Sequence, residues 1–118
     1  ASMLTIEWLQ MVARYNAWQN GNIFGAADTL DDDARKEERG AFFGSIHKTL
    51  SHLLWADQIW LSRLAGTKPP SVDTIPESTL MIEDWDVLKT ERRTFDREIL
   101  DWSLRASDKD LSGDQILV

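Results

Sequence analysis

The sequence contains no cysteine, which excludes a disulfide framework, a thiolate metal site and a cysteine nucleophile. Basic residues are also few, with 13 Lys and Arg against 20 Asp and Glu, for a net charge of −7. Nucleic acids and anionic membranes both select for clustered positive charge, so we expect neither as a partner. No apolar run approaches the roughly 20 residues that span a bilayer, and no signal peptide opens the chain. These features favour a cytoplasmic protein.

The sequence does contain enough apolar residues for one folded domain. Its 118 residues are 42% apolar, which predicts a single domain with a core of its own. Six tryptophans indicate large packing surfaces or an interface. We assign residues 1–118 to this domain, interpret residues 1–3 as an expression remnant around Met3, and expect a C-terminal truncation because an apolar segment at 115–118 ends the chain.

Hydrophobic spacing of three to four residues predicts three long helices. They cover Leu4 to about Thr29, Phe42 to Leu64, and about Ser78 to Ala106. Gly21 marks a position where the first helix can kink. The fold class that follows is all-α, an up-and-down helical bundle.

The connections between these helices carry their own signals. Residues 31–40 form a charged connector whose aspartates suit the N-cap and first turn of a short helix. Gly66 is predicted to cap the end of the central helix, and residues 67–79 are predicted to be a loop because they contain Pro, Ser and Thr.

On a helical wheel the central helix has one broad apolar face and two histidines. His52 lies on the flank of the apolar face, whereas His47 lies at the edge of the polar side and is interpreted as a solvated or rim residue. Trp55 falls on the polar side. It is interpreted either as part of a surface that binds a partner or as a partly exposed packing residue. The predicted apolar face comprises Phe43, Ile46, Leu50, Leu53, Leu54, Trp60, Leu61 and Leu64.

Two charged residues interrupt the predicted apolar faces. Asp57 lies within the face of the central helix, and Arg92 lies within the seam of the third. A charge buried alone costs several kcal/mol, so we predict that Asp57 and Arg92 pair across the helix interface. Two alternatives are that both side chains extend to solvent at a rim, and that Asp57 orients a ligand group.

Three stretches resemble the DinB-like family: YNAWQNGNIF (15–24), GAFFGSIHKTLSHLLWADQIWLSRLAG (40–66) and TERRTFD (90–96). The resemblance covers residues 4–118, and its most specific part is T-L-x-H-L-x-x-A-D-x-I-W-L at 49–61. It implies a four-helix bundle, often dimeric, that binds a divalent metal, commonly zinc or nickel. Three histidines hold that metal, one from the second long helix and two from an H-x-x-x-H on the fourth.

Only one of these ligands carries over to this sequence. His52 matches the ligand of the second long helix and His47 does not. The H-x-x-x-H pair has no counterpart, because the chain ends before the fourth helix of the family would begin, so we expect this chain to lack part of the metal site. His47 and His52 lie about 140° apart on a helix and are not expected to chelate together. Judged from the residues alone, the alternative for His52 is a core histidine bonded to a neighbour.

Two functions of different class follow. The resemblance implies a metal-dependent enzyme, of the hydrolase or thiol-dependent transferase type, with His52 as a ligand and a small-molecule substrate that the sequence does not identify. The alternative is a non-catalytic helical module for dimerisation, or one associated with stress. We expect a homodimer under either hypothesis, because three amphipathic helices leave apolar faces uncovered.

Overall fold

The computed structural model describes residues 5–40 and 43–106, which form five helices. The long ones are α1 (Ile6–Asp28), α3 (Ile46–Ala65) and α5 (Trp85–Arg105). The short ones are α2 (Asp32–Lys36) and α4 (Ile75–Ser78). The predicted all-α class and the three long helices are therefore confirmed. The predictions for residues 1–4, for Phe42 and for the apolar segment at 115–118 lie outside the described residues.

Each helix begins after a residue whose side chain accepts a hydrogen bond from a backbone N–H three residues later. Capping by an aspartate of the 31–40 connector was predicted and is confirmed. Gly66 ends α3, also as predicted, with a φ of 72° that a residue without a Cβ adopts readily. The five N-caps are Thr5, Asp31, Ser45, Thr74 and Asp84.

Two of the predicted helix starts were wrong. The third long helix begins at Trp85 rather than near Ser78, because Asp84 caps a new helix after the single turn of α4. The central helix begins at Ile46 rather than Phe42, because Ser45 is its N-cap and Gly44 before it has a φ of 97°. α1 continues as one helix through Gly21.

α5 contacts both of the other long helices. It packs along α1 and against α3, while α2 and α4 pack on α3. Its buried residues Trp85, Leu88, Arg92, Phe95, Ile99 and Trp102 repeat at spacings of three and four, so they form one seam in which Arg92 is the charged member. The core comprises Leu9, Ala13, Phe24, Ala27, Leu50, Leu54, Leu61, Trp85, Leu88, Phe95, Ile99 and Trp102.

An open groove separates α1 from α3 and explains why the predicted apolar face of α3 is only partly buried. Leu53 and Trp60 remain 45% and 37% exposed, although both were assigned to that face. A cavity of about 390 Å³ lies in the groove, and Trp60 is one of its walls. The full lining is Leu9, Val12, Ala13, Asn16, Ala56, Asp57, Trp60 and Ile99.

Trp55 corrects another sequence-based prediction. It is buried, and its indole N–H donates a 2.8 Å hydrogen bond to the carbonyl of Val72. The segment after α3 thus folds back over the side of the helix that looked polar on the wheel. Trp55 is therefore neither a partner surface nor a partly exposed residue.

None of the helices in the described part of the chain combines the length and apolar character that crossing a bilayer requires.

Candidate functional site

His52 lies on the side of α3 that faces α4, and Ser78 fixes its ring. The His52 Nδ1 is 2.8 Å from the Ser78 Oγ, and the Ser78 hydroxyl lies 2.5 Å from the carbonyl oxygen of Ile75. A carbonyl only accepts, so the serine proton goes to Ile75 and the serine oxygen accepts from the imidazole. The proton of neutral His52 therefore sits on Nδ1, which leaves the lone pair on Nε2.

Aromatic rings enclose the His52 imidazole. Phe43 stacks on it with a centroid separation of 4.0 Å, and Trp55 lies at 5.5 Å. Desolvation by this partial burial lowers the pKa of His52 below its ordinary value, because removal from water disfavours the imidazolium. The surroundings thus keep the ring neutral, which is the form that binds metal ions.

This pKa shift predicts how stability depends on pH. Unfolded His52 titrates at its ordinary value of about 6.5, so below that pH the unfolded chain binds more protons than the folded one. His52 therefore makes its full contribution to the free energy of unfolding above about pH 6.5. That contribution is lost as pH falls towards the lowered folded-state pKa. We expect the unfolding free energy of the wild type, minus that of His52→Gln, to decrease between about pH 7.5 and 5.5 in urea titrations. A difference that stays constant or increases on acidification would contradict the assignment.

His47 is buried, which corrects the prediction that it is a solvated or rim residue. It is 3% exposed, and its Nε2 lies 2.7 Å from the carbonyl oxygen of Ile82. A carbonyl only accepts, so Nε2 carries the proton, and Nδ1 lacks a hydrogen-bond partner among the described residues. α2 packs on α3, and the connection between α4 and α5 supplies Ile82, so short segments cover the edge of the helix where His47 lies.

A buried charge network joins the three long helices. The Arg92 Nη2 lies 2.7 Å from an Asp57 carboxylate oxygen, which confirms the predicted pair. The same guanidinium also binds Asp96, at 3.0 Å from Nε and 2.6 Å from Nη2. Arg92 and Asp96 are 2% and 6% exposed, whereas the Asp57 side chain remains 38% exposed. The principal partner of Arg92 inside the protein is thus Asp96, which sequence analysis missed.

Asparagines of α1 complete this network. Asn16 and Asn20 both donate side-chain hydrogen bonds to Asp96, at distances of 3.1 to 3.3 Å. Burial raises the pKa of the Asp96 carboxyl, and the nearby Arg92 guanidinium offsets part of that rise. A sequence signal existed, since Asp96 follows Arg92 by four residues and such pairs meet on one helix face.

A cavity of about 560 Å³ lies beside this network, between α1 and α5. Phe24 and Leu100 form apolar parts of its wall, and Asn20, Arg92 and Asp96 lie on its polar side. Its volume is in the range of small-molecule sites. His52 does not line it, so the cavity and the histidine are separate features of the described structure.

The helices of this structure lie within a match to a known protein family. The model of the DinB family matches residues 3–116, a range that includes every helix of the structure. The chain belongs to the DinB family. No curated protein and no solved structure shows a significant match to it. Membership in the DinB family therefore identifies the bundle type and does not by itself assign a reaction.

For a DinB-family chain, the question is whether these residues suit a metal. Within residues 5–40 and 43–106, no group of three His, Cys, Asp or Glu side chains could hold an ion. His52 does suit the role of a single ligand, since metal-binding histidines typically donate their second ring N–H to a protein acceptor, as Nδ1 does to Ser78. The described residues thus fit one ligand of a metal centre and do not form a complete one.

Proposed function

We propose that this DinB-family chain belongs to a metal-dependent enzyme in which His52 is one ligand of a zinc or nickel ion. The observation that carries the proposal is the Ser78 hydroxyl, which holds the imidazole proton on Nδ1 and leaves the Nε2 lone pair for an ion. The further ligands would come from outside the described residues or from a second molecule, since a lone imidazole does not make a stable site.

A divalent ion held by His52 and further ligands would supply Lewis acidity, which suits a hydrolase or a thiol-dependent transferase. The residues of the chain have simpler roles. Ser78 and the Ile75 carbonyl fix the tautomer and the orientation of the ring. Phe43 and Trp55 shield the imidazole and favour its neutral form.

Zinc and nickel titrations test this proposal directly. We expect calorimetry and metal analysis of the dialysed protein to show uptake that His52→Gln weakens at least about tenfold, because a ligand is removed. Ser78→Ala should also weaken uptake, by about 10- to 100-fold, because the ring loses the group that orients it. His47→Gln is the matched control, since it removes the second histidine of the same helix and should leave the affinity unchanged. Urea unfolding of each variant shows that it is folded. Uptake that is absent in the wild type, or unchanged in His52→Gln, would contradict the proposal.

The alternative proposal is a non-catalytic dimerisation module. It is favoured by large apolar side chains that remain exposed on α1 and α3, including Tyr15, Trp18 and Leu53. The same titration separates the two functions, because a dimerisation module needs no histidine-dependent metal uptake.

A further inference from the structure

Two guanidinium groups on the wall of the cavity between α1 and α5 lack an ionic partner. The cationic side chains that line this cavity are Lys89, Arg92, Arg93 and Arg97. Two of them are neutralised, since Lys89 binds Asp28 at 3.0 Å and Arg92 belongs to the buried charge network. Arg93 and Arg97 are exposed and form no ion pair or side-chain hydrogen bond within the described residues. They are therefore the two cations that a ligand of this cavity can bind.

Arg93 and Arg97 are placed to bind one anion together. They are four residues apart on α5, so they lie on one face of the helix with Cβ atoms about 6 Å apart. Like charges at this spacing repel each other, and an anion between them removes that repulsion. Each guanidinium binds phosphate oxygens through paired N–H donors, and two of them supply enough donors for every free oxygen of a phosphate group. The pair thus suits a phosphate.

The wall that α1 contributes to the cavity is made of small residues. Ala17, Gly21 and Gly25 line it at intervals of four residues. A Cβ added at either glycine would have no packing neighbour within 4 Å, so close packing does not require glycine at these positions. Glycine is also among the least favourable residues inside a helix. What the two glycines provide is room between α1 and α5.

The small residues and the free guanidinium groups lie at the same level of the bundle, because α1 and α5 run antiparallel. Asn20 of α1 bonds to Asp96 of α5 at 3.1 to 3.2 Å. Asp28, two turns further along α1, bonds to Lys89 at 3.0 Å, two turns earlier on α5. Both glycines lie between these two contacts, opposite the part of α5 that carries Arg93. The cavity therefore has open space directly beside its unpaired positive charge.

We propose that this cavity binds a small organic phosphate monoester. Arg93 and Arg97 bind the phosphate group, which carries close to two negative charges at pH 7. The organic group lies over the two glycines, in contact with Phe24 and Leu100, which line the same cavity. At about 560 Å³ the cavity has the size of small-molecule sites, which combine apolar walls with a few polar groups. His52 does not line it, so the site stands independently of the proposed metal-dependent activity.

Isothermal titration calorimetry of the 118-residue protein with 1-naphthyl phosphate tests the site. We expect one ligand per chain with a Kd of about 0.5 mM or tighter, which is the affinity that the usual binding energy per atom gives for a ligand of this size. Inorganic phosphate and 1-naphthol should each bind at least about tenfold more weakly, because each makes only one part of the proposed contacts. No binding of 1-naphthyl phosphate, or equal affinity for either fragment, would overturn the proposal.

Charge removal tests the role of the two arginines. The double variant Arg93→Gln, Arg97→Gln should bind 1-naphthyl phosphate about tenfold more weakly, because each exposed ion pair contributes up to about fivefold to an affinity. The matched control is Arg14→Gln, Arg63→Gln, which removes the same charge from exposed arginines that do not line the cavity and should leave the affinity unchanged. Equal losses in the two double variants would mean that overall charge attracts the ligand, and would overturn the assignment.

Substitution at Gly25 tests where the ligand lies without changing any charge. A helical side chain leans towards the N-terminus of its helix, so the side chain introduced by Gly25→Leu would cover Gly21 and fill the space assigned to the organic group. We expect this variant to be folded in urea titrations and to show no detectable binding of 1-naphthyl phosphate. Gly25→Ala is the control, since its Cβ fits and favours the helix, so the urea midpoint should rise and the affinity should stay nearly unchanged. Wild-type affinity in Gly25→Leu would place the ligand elsewhere and overturn the proposal.

Discussion

Replacing Arg92 with methionine should lower the free energy of unfolding by about 3–5 kcal/mol, the loss expected when one partner of a buried ion pair is removed. Arg92 is 2% exposed and is bonded to both Asp57 and Asp96. Asp57 can regain water through its exposed side, whereas Asp96 is 6% exposed and cannot. The loss therefore arises mainly from an uncompensated carboxylate at Asp96.

Arg93→Met provides a closely matched control for this prediction. Arg93 is the next residue of α5, is exposed, and forms no ion pair within the described residues. Its replacement should change the unfolding free energy by no more than about 0.5 kcal/mol, as is usual for surface substitutions. Urea unfolding of both variants beside the wild type measures the contrast. If the free energy of unfolding fell by similar amounts in the two variants, the buried network would not be a principal source of stability.

The loss in Arg92→Met should also become smaller at acidic pH. Burial already raises the pKa of Asp96, and removal of Arg92 would raise it further. A group whose folded-state pKa is raised favours the folded state when it is protonated, so acidification relieves the buried charge. We expect the difference between variant and wild type to shrink from pH 7 towards pH 5. An increase over this range would mean that the carboxylate of Asp96 is not responsible.

The charge network around Arg92 was only partly predictable from the sequence. Asp57 and Arg92 stood out because each interrupted an otherwise apolar face, and the cost of burying an unpaired charge made a bond between them the simplest prediction. Asp96 was missed because the seam analysis considered a single polar residue in α5. Its four-residue spacing from Arg92 would have revealed it, but its asparagine partners on α1 depend on tertiary packing.

Short segments account for the predictions that failed. A helical wheel gives the faces that long helices turn to each other, and these were confirmed for Leu50, Leu54 and Leu61. A helical wheel does not show where short segments without hydrophobic periodicity pack. α2 and the connections on either side of α4 cover His47 and Trp55, which are polar-side positions on the wheel. Ser78, the partner of His52, lies in such a segment and was therefore unpredictable.

Trp85→Ala is the second substitution expected to have a large effect, with a loss of about 3–5 kcal/mol in unfolding free energy. Trp85 is buried at the start of α5 and stacks on Phe24 of α1 with a centroid separation of 5.2 Å. Its indole N–H donates to Asp28 at 2.8 Å, and the Arg35 guanidinium of α2 lies 4.5 Å from its ring. Truncation would therefore leave a cavity where three helices meet.

Trp85→Phe separates packing from hydrogen bonding at this position. Phenylalanine can keep the stacking on Phe24 but cannot donate to Asp28, so we expect a loss of about 1 kcal/mol. Hydrogen bonds from Trp85 and Lys89 lower the pKa of Asp28, and in this variant that pKa should return towards its ordinary value. Carboxyl NMR titration measures the shift.

Leu104→Ala is the control on α5 for both substitutions at Trp85, because Leu104 is 67% exposed and its truncation should change stability by less than about 0.5 kcal/mol. A loss in Trp85→Ala well below 2 kcal/mol would mean that the surroundings collapse into the space left by the indole.

The effect on α2 distinguishes a local cavity from a wider role. α2 spans five residues and is too short to be stable alone, so it depends on tertiary contacts such as that of Arg35 with Trp85. Amide hydrogen exchange in α2 should therefore accelerate in Trp85→Ala more than in Trp85→Phe, because only phenylalanine retains a ring beneath the guanidinium.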